Sequence, residues 1–461
     1  MADAKLKDLR GPGRRQFIKW TTAVAATLGV GRSRFLDVLS DRAGVAMADT
    51  AACALTAKSV HIIGDNGGLS WFTQLFPYPA YAMAKNPAYA YYASTATMAK
   101  GTNNPLVYAP DSPFQKLPAN RQMTVMVAGT NQTHTFTPSS GLTMGNTGLV
   151  AACASIQATT PTLLPVMAVN PYVYGAAPGA PQPASVSSSA GLVGLFNSVA
   201  SQTLLATPQN AGLDAAYMNA FMALNSIASR PSVATGYNTA RVATGLLGKN
   251  LGPQLTPTAA DDARYGITAT TYAPIVEIAH SLCTAAKAFG LGLTSCLVIP
   301  AMQDDPHTAF QDMATLATNV QTLGMVLDAF IADCMALPDP AGCTGKTLAD
   351  SLVMTITGDT PKDCSTASGW PDNTAGNHNL VYVWGSGWLK TGWFGNLDTS
   401  GNLTTWDPTT GQSVSATTQP SQNLGTPAAA AVTFAVAKGD VRTVQNFNVT
   451  APAGVVIPTN Q

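Results

Sequence analysis

Residues able to hold a metal ion or move a proton recur just behind short apolar runs of this chain. Asp65 comes two residues after the run 59–63, and His134 six residues after 124–128. Asp304, Asp305 and His307 follow 295–299, Asp359 follows 351–357, and His378 lies between that run and 380–384. Carboxylate oxygens and imidazole nitrogens together bind divalent ions. Such ions lower the pKa of a nucleophile and offset charge on a transferring phosphoryl or sulfuryl group. Asp305-Pro306-His307 sets two ligand types two positions apart, with Pro306 stiffening the turn. The expected metal set is Asp305, His307, Asp359 and His378, with Asp65 as a further ligand, for zinc, manganese or calcium. Local roles compete with this reading: Asp304 and Asp305 precede a helical pattern, so N-capping accounts for at least one of them.

The elements that must position these groups read as strands alternating with helices. Runs 59–63, 124–128, 163–169, 295–299, 351–357 and 380–384 are short, apolar and closed by Gly or polar residues, as buried strands are. Helical spacing occupies 190–205, 214–229, 238–247, 261–290 and 308–336. That alternation predicts an α/β fold: a mostly parallel central sheet with helices on both faces. Ligands of such sheets gather beyond the carboxyl ends of the strands, where the candidate residues fall. Residues 176–189, rich in Pro, Ser and Ala, read as a surface loop. From 396 onward the chain reads as irregular structure with short strands.

Arg14-Arg15-Gln16-Phe17-Ile18-Lys19 is a twin-arginine signal pattern, followed by the weakly apolar stretch 21–31 and the small-x-small site Ala46-Met47-Ala48. The expected organisation is a signal peptide at 1–48, recognised by the twin-arginine translocase, and one domain at 49–461 acting in the periplasm or at the cell surface. Nine of the 24 basic and four of the 24 acidic residues lie in 1–48, which leaves 15 basic and 20 acidic residues, a net charge of −5. No basic surplus remains to meet phosphate backbones, which argues against nucleic acid as a partner. The longest apolar runs fall short of the ~20 residues of a membrane-spanning helix.

Seven cysteines follow residue 48, an odd number. Cys334 and Cys343 flank a short Pro/Gly loop and are the expected local disulfide of an oxidising compartment. No Cys-x-x-Cys, His-Glu-x-x-His or Gly-x-Ser-x-Gly stretch occurs. Gly345-Lys346-Thr347 lacks the glycine a phosphate-binding loop needs, since Pro340 stands there. The Tyr-rich stretch 78–92 reads as a packed cover over the sheet rather than the lining of a cleft.

From about residue 59 to 442 the chain resembles the exported family called domain of unknown function 1501, a branch of the alkaline-phosphatase-like superfamily. The resemblance rests on the order of Val60-His61-Ile62-Ile63, Gly67-Gly68, Pro77-Tyr78-Pro79, Thr133-His134-Thr135, the stretch Ala301 to His307, Gly358-Asp359-Thr360-Pro361, Gly376-Asn377-His378 and the glycine-rich close 385–395. It implies an alkaline-phosphatase-like fold and a metal-dependent phosphate or sulfate ester hydrolase. The superfamily's nucleophile is a Ser or Thr at a helix start, for which Ser70 and Thr133 are the candidates. The chain departs from the family pattern at several points. Leu69-Ser70-Trp71 stands where an Asp is expected, Asn377 replaces an Asp before His378, and Asp359 with Lys362 replaces a Glu and an Arg. The alternative is therefore a non-catalytic exported binding or scaffold protein on the same fold.

Overall fold

Eight strands form the main sheet: β1 (Lys58–Gly64), β2 (Met123–Thr130), β3 (Leu164–Val169), β4 (Ala184–Val186), β5 (Thr294–Pro300), β6 (Leu352–Gly358), β7 (His378–Trp384) and β8 (Gly392–Phe394). Their order across the sheet is β8-β2-β7-β6-β1-β5-β3-β4. The computed structural model describes residues 57–83, 97–98, 106–108, 113–114, 117, 121–132, 142–160, 162–170, 174–196, 251–302, 307, 312–340, 343–363 and 371–458. These residues all belong to one unit of the chain, 51–204 with 247–461.

Every pairing is parallel except the two made by β7. β1, β6 and β7 are buried along their whole length. A strand covered on both faces favours the apolar, β-branched stretches each carries, Val60 with Ile62-Ile63, Leu352-Val353-Met354 and Leu380 to Trp384, and the polar residues among them are buried too. β7 runs backwards: the described ends of its link to β6, 359–363 and 371–377, meet at the carboxyl end of β6, where the Asp363 N–H donates to Pro371 O at 2.7 Å. A parallel return would need a crossover of a dozen or more residues, usually helical, and Pro361, Pro371 and Gly376 break any helical pattern there. His378 therefore begins its strand at the edge where the other strands end.

The described helices include α1 (Ser70–Thr73), α2 (Leu149–Gln157), α3 (Ala273–Gly290), α4 (Met313–Ala336) and α5 (Gly425–Val436). Lys58 and Ile63 point to opposite faces of β1, as an odd separation along a strand requires. On the Ile63 face, Val150, Ala151 and Ala154 of α2 pack with Val166, Ala168, Cys296 and Val298. On the other face the Lys58 ammonium lies 5.8 Å from the Phe289 ring centroid of α3. Helices thus cover both faces. The helical pattern read over 261–290 is two helices: a short one at Ala259–Arg264, closed by Gly266 at φ +72°, and α3, which starts at Ala273 with Pro274 in its first turn. The pattern read from 308 begins as a helix at Met313, with Asp312 accepting from the backbone N–H of Ala314 and Thr315.

Three expectations need correction. Residues 176–189 are not wholly loop, since β4 pairs there with β3. The segment after 396 carries a small antiparallel sheet and the 12-residue helix α5, which the Ala-rich run 428–431 favours by propensity. Cys334 is a free thiol, whereas Cys343 is disulfide-bonded. Since Cys153, Cys283, Cys296 and Cys334 are all free, the partner of Cys343 lies outside the described residues. Cys334 lies in the last turn of α4 and is fully buried, so the helix fixes its thiol within the core rather than on the loop that follows. The helical readings at 197–205, 214–229 and 238–247, and the signal peptide at 1–48, also lie outside the described residues. No described helix is long and apolar enough to cross a membrane.

Candidate functional site

Two aspartates stand side by side at the centre of the carboxyl edge. β1 and β6 are in parallel register with Gly64 opposite Gly358, so Asp65 and Asp359 follow their strands at the same level. The Asp359 N–H donates to Gly64 O at 3.0 Å, and the Gly68 N–H donates to Asp65 O at 2.7 Å. The turn between them needs its glycines. Gly67 has φ +85°, and a Cβ on Gly68 would lie 2.3 Å from Met302 O. This tight turn carries the Gly67 N–H to 3.2 Å from Asp359 Oδ1, where it donates.

Both carboxylates are buried, at 6% and 4% exposure. Asp65 Oδ1 has no hydrogen-bond partner among the described residues. Burial, and then the charge of Asp359, push the Asp65 carboxyl up to about 6. Burial of two neighbouring acids disfavours their joint ionisation, so a cation or a proton at this point is stabilised. Asn379 holds the loop by donating to Gly358 O at 2.6 Å, and the Gln132 N–H donates to Asp359 O at 2.9 Å.

The other expected ligands part company from this pair. His378 is 1% exposed, and both its ring nitrogens are engaged within the protein. Nδ1 lies 2.6 Å from Ala375 O, which can only accept, so Nδ1 carries the proton. Nε2 then accepts from the Tyr78 hydroxyl. Burial lowers the His378 pKa to about 4, so the ring is neutral at physiological pH. No lone pair is left for a metal, and His378 is corrected from ligand to the acceptor of a buried tyrosine. Tyr78 is itself locked against Trp393, ring centroids 4.8 Å apart, and Tyr81 is fully buried. This part of the Tyr-rich stretch is packed cover, as expected; residues 84–92 lie outside the described residues.

His307 belongs to a second group. Its Nε2 is 3.1 Å from Lys362 Nζ and 3.6 Å from Asp372 Oδ1. The same ammonium also donates to Asp372 Oδ1. The Lys362 side chain has no exposed surface, and its backbone sits at φ +62°, a left-handed conformation unusual for lysine. Contacts on both sides hold that conformation. Thr360 Oγ1 donates to Asp372 O at 3.1 Å, the Asn131 amide donates to the same carbonyl, and the Asp363 N–H donates to Pro371 O at 2.7 Å.

Ser70 opens α1 but is fully buried, and its hydroxyl has no hydrogen-bond partner among the described residues. No base among those residues is positioned to take its proton, so the geometry does not make Ser70 a nucleophile. Thr133, His134, Asp304 and Asp305 lie outside the described residues. Among those described, no group of three His, Cys, Asp or Glu side chains converges as a metal cage. Lys362 and Asp372 take a part that sequence reading did not assign. Lys362 shows only as a residue standing where the family pattern has another, and nothing in local spacing links it to Asp372. No protein-family model, curated protein or solved structure matches the chain.

Proposed function

We propose that this chain is an exported protein of alkaline-phosphatase-like architecture that binds a divalent cation through Asp65 and Asp359 and acts on a phosphate or sulfate ester at that edge. The observation that carries the reading is the buried aspartate pair, with an Asp65 oxygen that no described group satisfies. An all-oxygen pair of hard donors suits manganese, magnesium or calcium better than zinc. A cation bound there supplies Lewis-acid stabilisation of charge on the ester oxygens. The chain's own residues do the rest. The Gly67 N–H orients Asp359, Asn379 anchors the strand end beneath it, and burial keeps water from screening the pair. The twin-arginine pattern at residues 14–19 supports export to the periplasm or cell surface.

A second reading, a non-catalytic binding or scaffold protein, is favoured by two observations. The His378 ring is closed off by Tyr78 and Ala375, and Ser70 lacks a base among the described residues. Mn²⁺ titration of the exported protein, with Asp65→Asn as control, together with assays on aryl phosphate and aryl sulfate, separates them. Binding with ester cleavage, both lost in Asp65→Asn, supports the hydrolase. Binding without cleavage supports the binding protein. No Mn²⁺ binding removes the cation reading altogether. Conservative replacement of Arg14 and Arg15 by lysine is expected to hold the protein in the cytoplasm, read by cell fractionation.

A further inference from the structure

Two lysines come together at the opposite, amino edge of the sheet. Lys58 opens β1 and is fully buried. In the parallel register it stands opposite Leu352, the first residue of β6. The residue before Leu352 is Ser351, whose carbonyl accepts from the ammonium of Lys438, just past the end of α5. We propose that Lys58 and Lys438 hold a small monovalent inorganic anion, chloride, at the starts of β1 and β6.

The charges gathered there favour an anion. Asp339, itself 2% exposed, is the acid whose charge acts on both ammoniums. Asp350 also acts on Lys438, but Arg121 Nη2 lies 2.6 Å from its Oδ1 and matches its charge. The Cys334 thiol faces Lys58, and burial pushes its pKa up, so it stays neutral. Two ammoniums against one carboxylate leave an excess of one positive charge, which a monovalent anion cancels. Burial lowers Lys58 to about 8 and Lys438 to about 7, so discharging a lysine is the other way to lose that excess. Hydrogen bonding decides against it. Lys58 Nζ has no acceptor among the described residues and lies 5.8 Å from the Phe289 ring centroid of α3. A neutral amine would still bury N–H donors with nothing to accept them, whereas an anion meets both the charge and the donors. The backbone points the same way at Lys438. It holds the left-handed position that ends α5, at φ +54°, with its N–H donating to Ala435 O at 3.1 Å and the Gly439 N–H to Phe434 O at 3.0 Å. Glycine normally takes such a helix end, because it has no Cβ to strain. A lysine there gives up backbone ease and brings an ammonium to the start of β6.

Chloride binding is read on the purified full chain at pH 6, where both ammoniums are charged. Two measurements report it: the broadening of the chloride nuclear magnetic resonance line, and thermal melts in sodium chloride against sodium gluconate, a bulky organic anion, at equal ionic strength. Wild type is expected to broaden the line in a saturable way that bromide competes away, and to melt about 2 °C higher in chloride. Lys58→Met keeps most of the side-chain volume and removes the ammonium, and is expected to lose both effects. Raising the pH to 10 discharges both lysines and is expected to release the ion from wild type. No saturable broadening in wild type, or the same broadening in a folded Lys58→Met protein, overturns the inference. Binding that persists undiminished at pH 10 also overturns it. Near-ultraviolet circular dichroism establishes that the variant is folded. If it is not, Lys438→Met takes its place with the same expected loss, and the wild-type titration tests the inference without any variant. Mn²⁺ binding at Asp65 and Asp359 is a separate measurement, so either reading can fail while the other stands.

Discussion

Replacing Asp65 with Asn should stabilise the metal-free protein at neutral pH and abolish its stabilisation by a cation. Asp65 is 6% exposed and its pKa rises from 3.8 to about 6, because burial and the neighbouring Asp359 both disfavour its charge. That rise corresponds to roughly 3 kcal/mol at 1.36 kcal/mol per unit. Residual screening by water reduces the realised effect to about 1–2 kcal/mol. The sign follows from linkage. A carboxyl whose folded pKa lies above its unfolded value stabilises the fold fully below pH 3.8, and that contribution is lost as pH rises through about 6. At pH 7.5, in chelator, the wild type carries the whole penalty, while the neutral amide of Asp65→Asn carries none. Thermal melts should place the variant higher by a few degrees at pH 7.5, with the gap closing at pH 4. Excess Mn²⁺ should raise the wild-type melting temperature and leave the variant unmoved, since only a ligand bound by the native state shifts the equilibrium. A variant that melts lower than wild type at pH 7.5 in chelator, with the same gap at pH 4, would refute the argument. The carboxylate would then be stabilising the fold through an interaction that outweighs its burial and its repulsion from Asp359.

The remaining predictions concern the groups around this edge and the core beneath it. Tyr78→Phe should cost about 1–3 kcal/mol by leaving the buried His378 Nε2 without its donor, while Mn²⁺ stoichiometry stays unchanged; urea unfolding and metal titration read the two effects separately. Gly68→Ala should destabilise the turn and weaken cation binding, because the added Cβ would meet Met302 O at 2.3 Å and that backbone must shift; a wild-type melt and affinity would contradict this. His61 is fully buried between Thr355 Oγ1 at 2.7 Å and Ser59 Oγ at 2.9 Å, and burial lowers its pKa to about 3. A histidine kept neutral in the fold stabilises it fully above pH 6.5 and loses that contribution as pH falls from 6.5 towards 3. The drop in urea midpoint between pH 7 and pH 4.5 should accordingly be shallower in His61→Leu than in wild type. Cys334 should resist alkylation in the native protein and react on unfolding without reductant, whereas Cys343 should react only after reduction; peptide mapping distinguishes them.

The strands were legible because burial on both faces leaves a local mark. A run such as Val60-His61-Ile62-Ile63 closed by Gly64 can hardly be anything else, and every apolar run read as a strand is one. Asp65 and Asp359 were legible for the same reason: each follows such a run, and parallel strands must end on a common side. The direction of β7 was not legible, since it depends on where the link 359–377 packs. The helix α5 was hidden by a Thr-, Gly- and Pro-rich approach, although its alanines favour helix wherever the core has room for them.

Which acids and imidazoles meet was decided only by the tertiary structure. Sequence spacing brought His307 and His378 to this edge, but it read His378 as a loop residue before the run 380–384, whereas the strand begins at His378 itself. It could not tell that Tyr78, 300 residues away, would take one imidazole, or that Lys362 would turn inward through a left-handed backbone to take the other. A side chain's charge and ligand capacity depend on the hydrogen bonds and burial it finds, and those come from parts of the chain that local pattern does not connect. Residue type and strand position determined which groups reach the edge; packing determined that two aspartates stand side by side there and which partners engage His307 and His378.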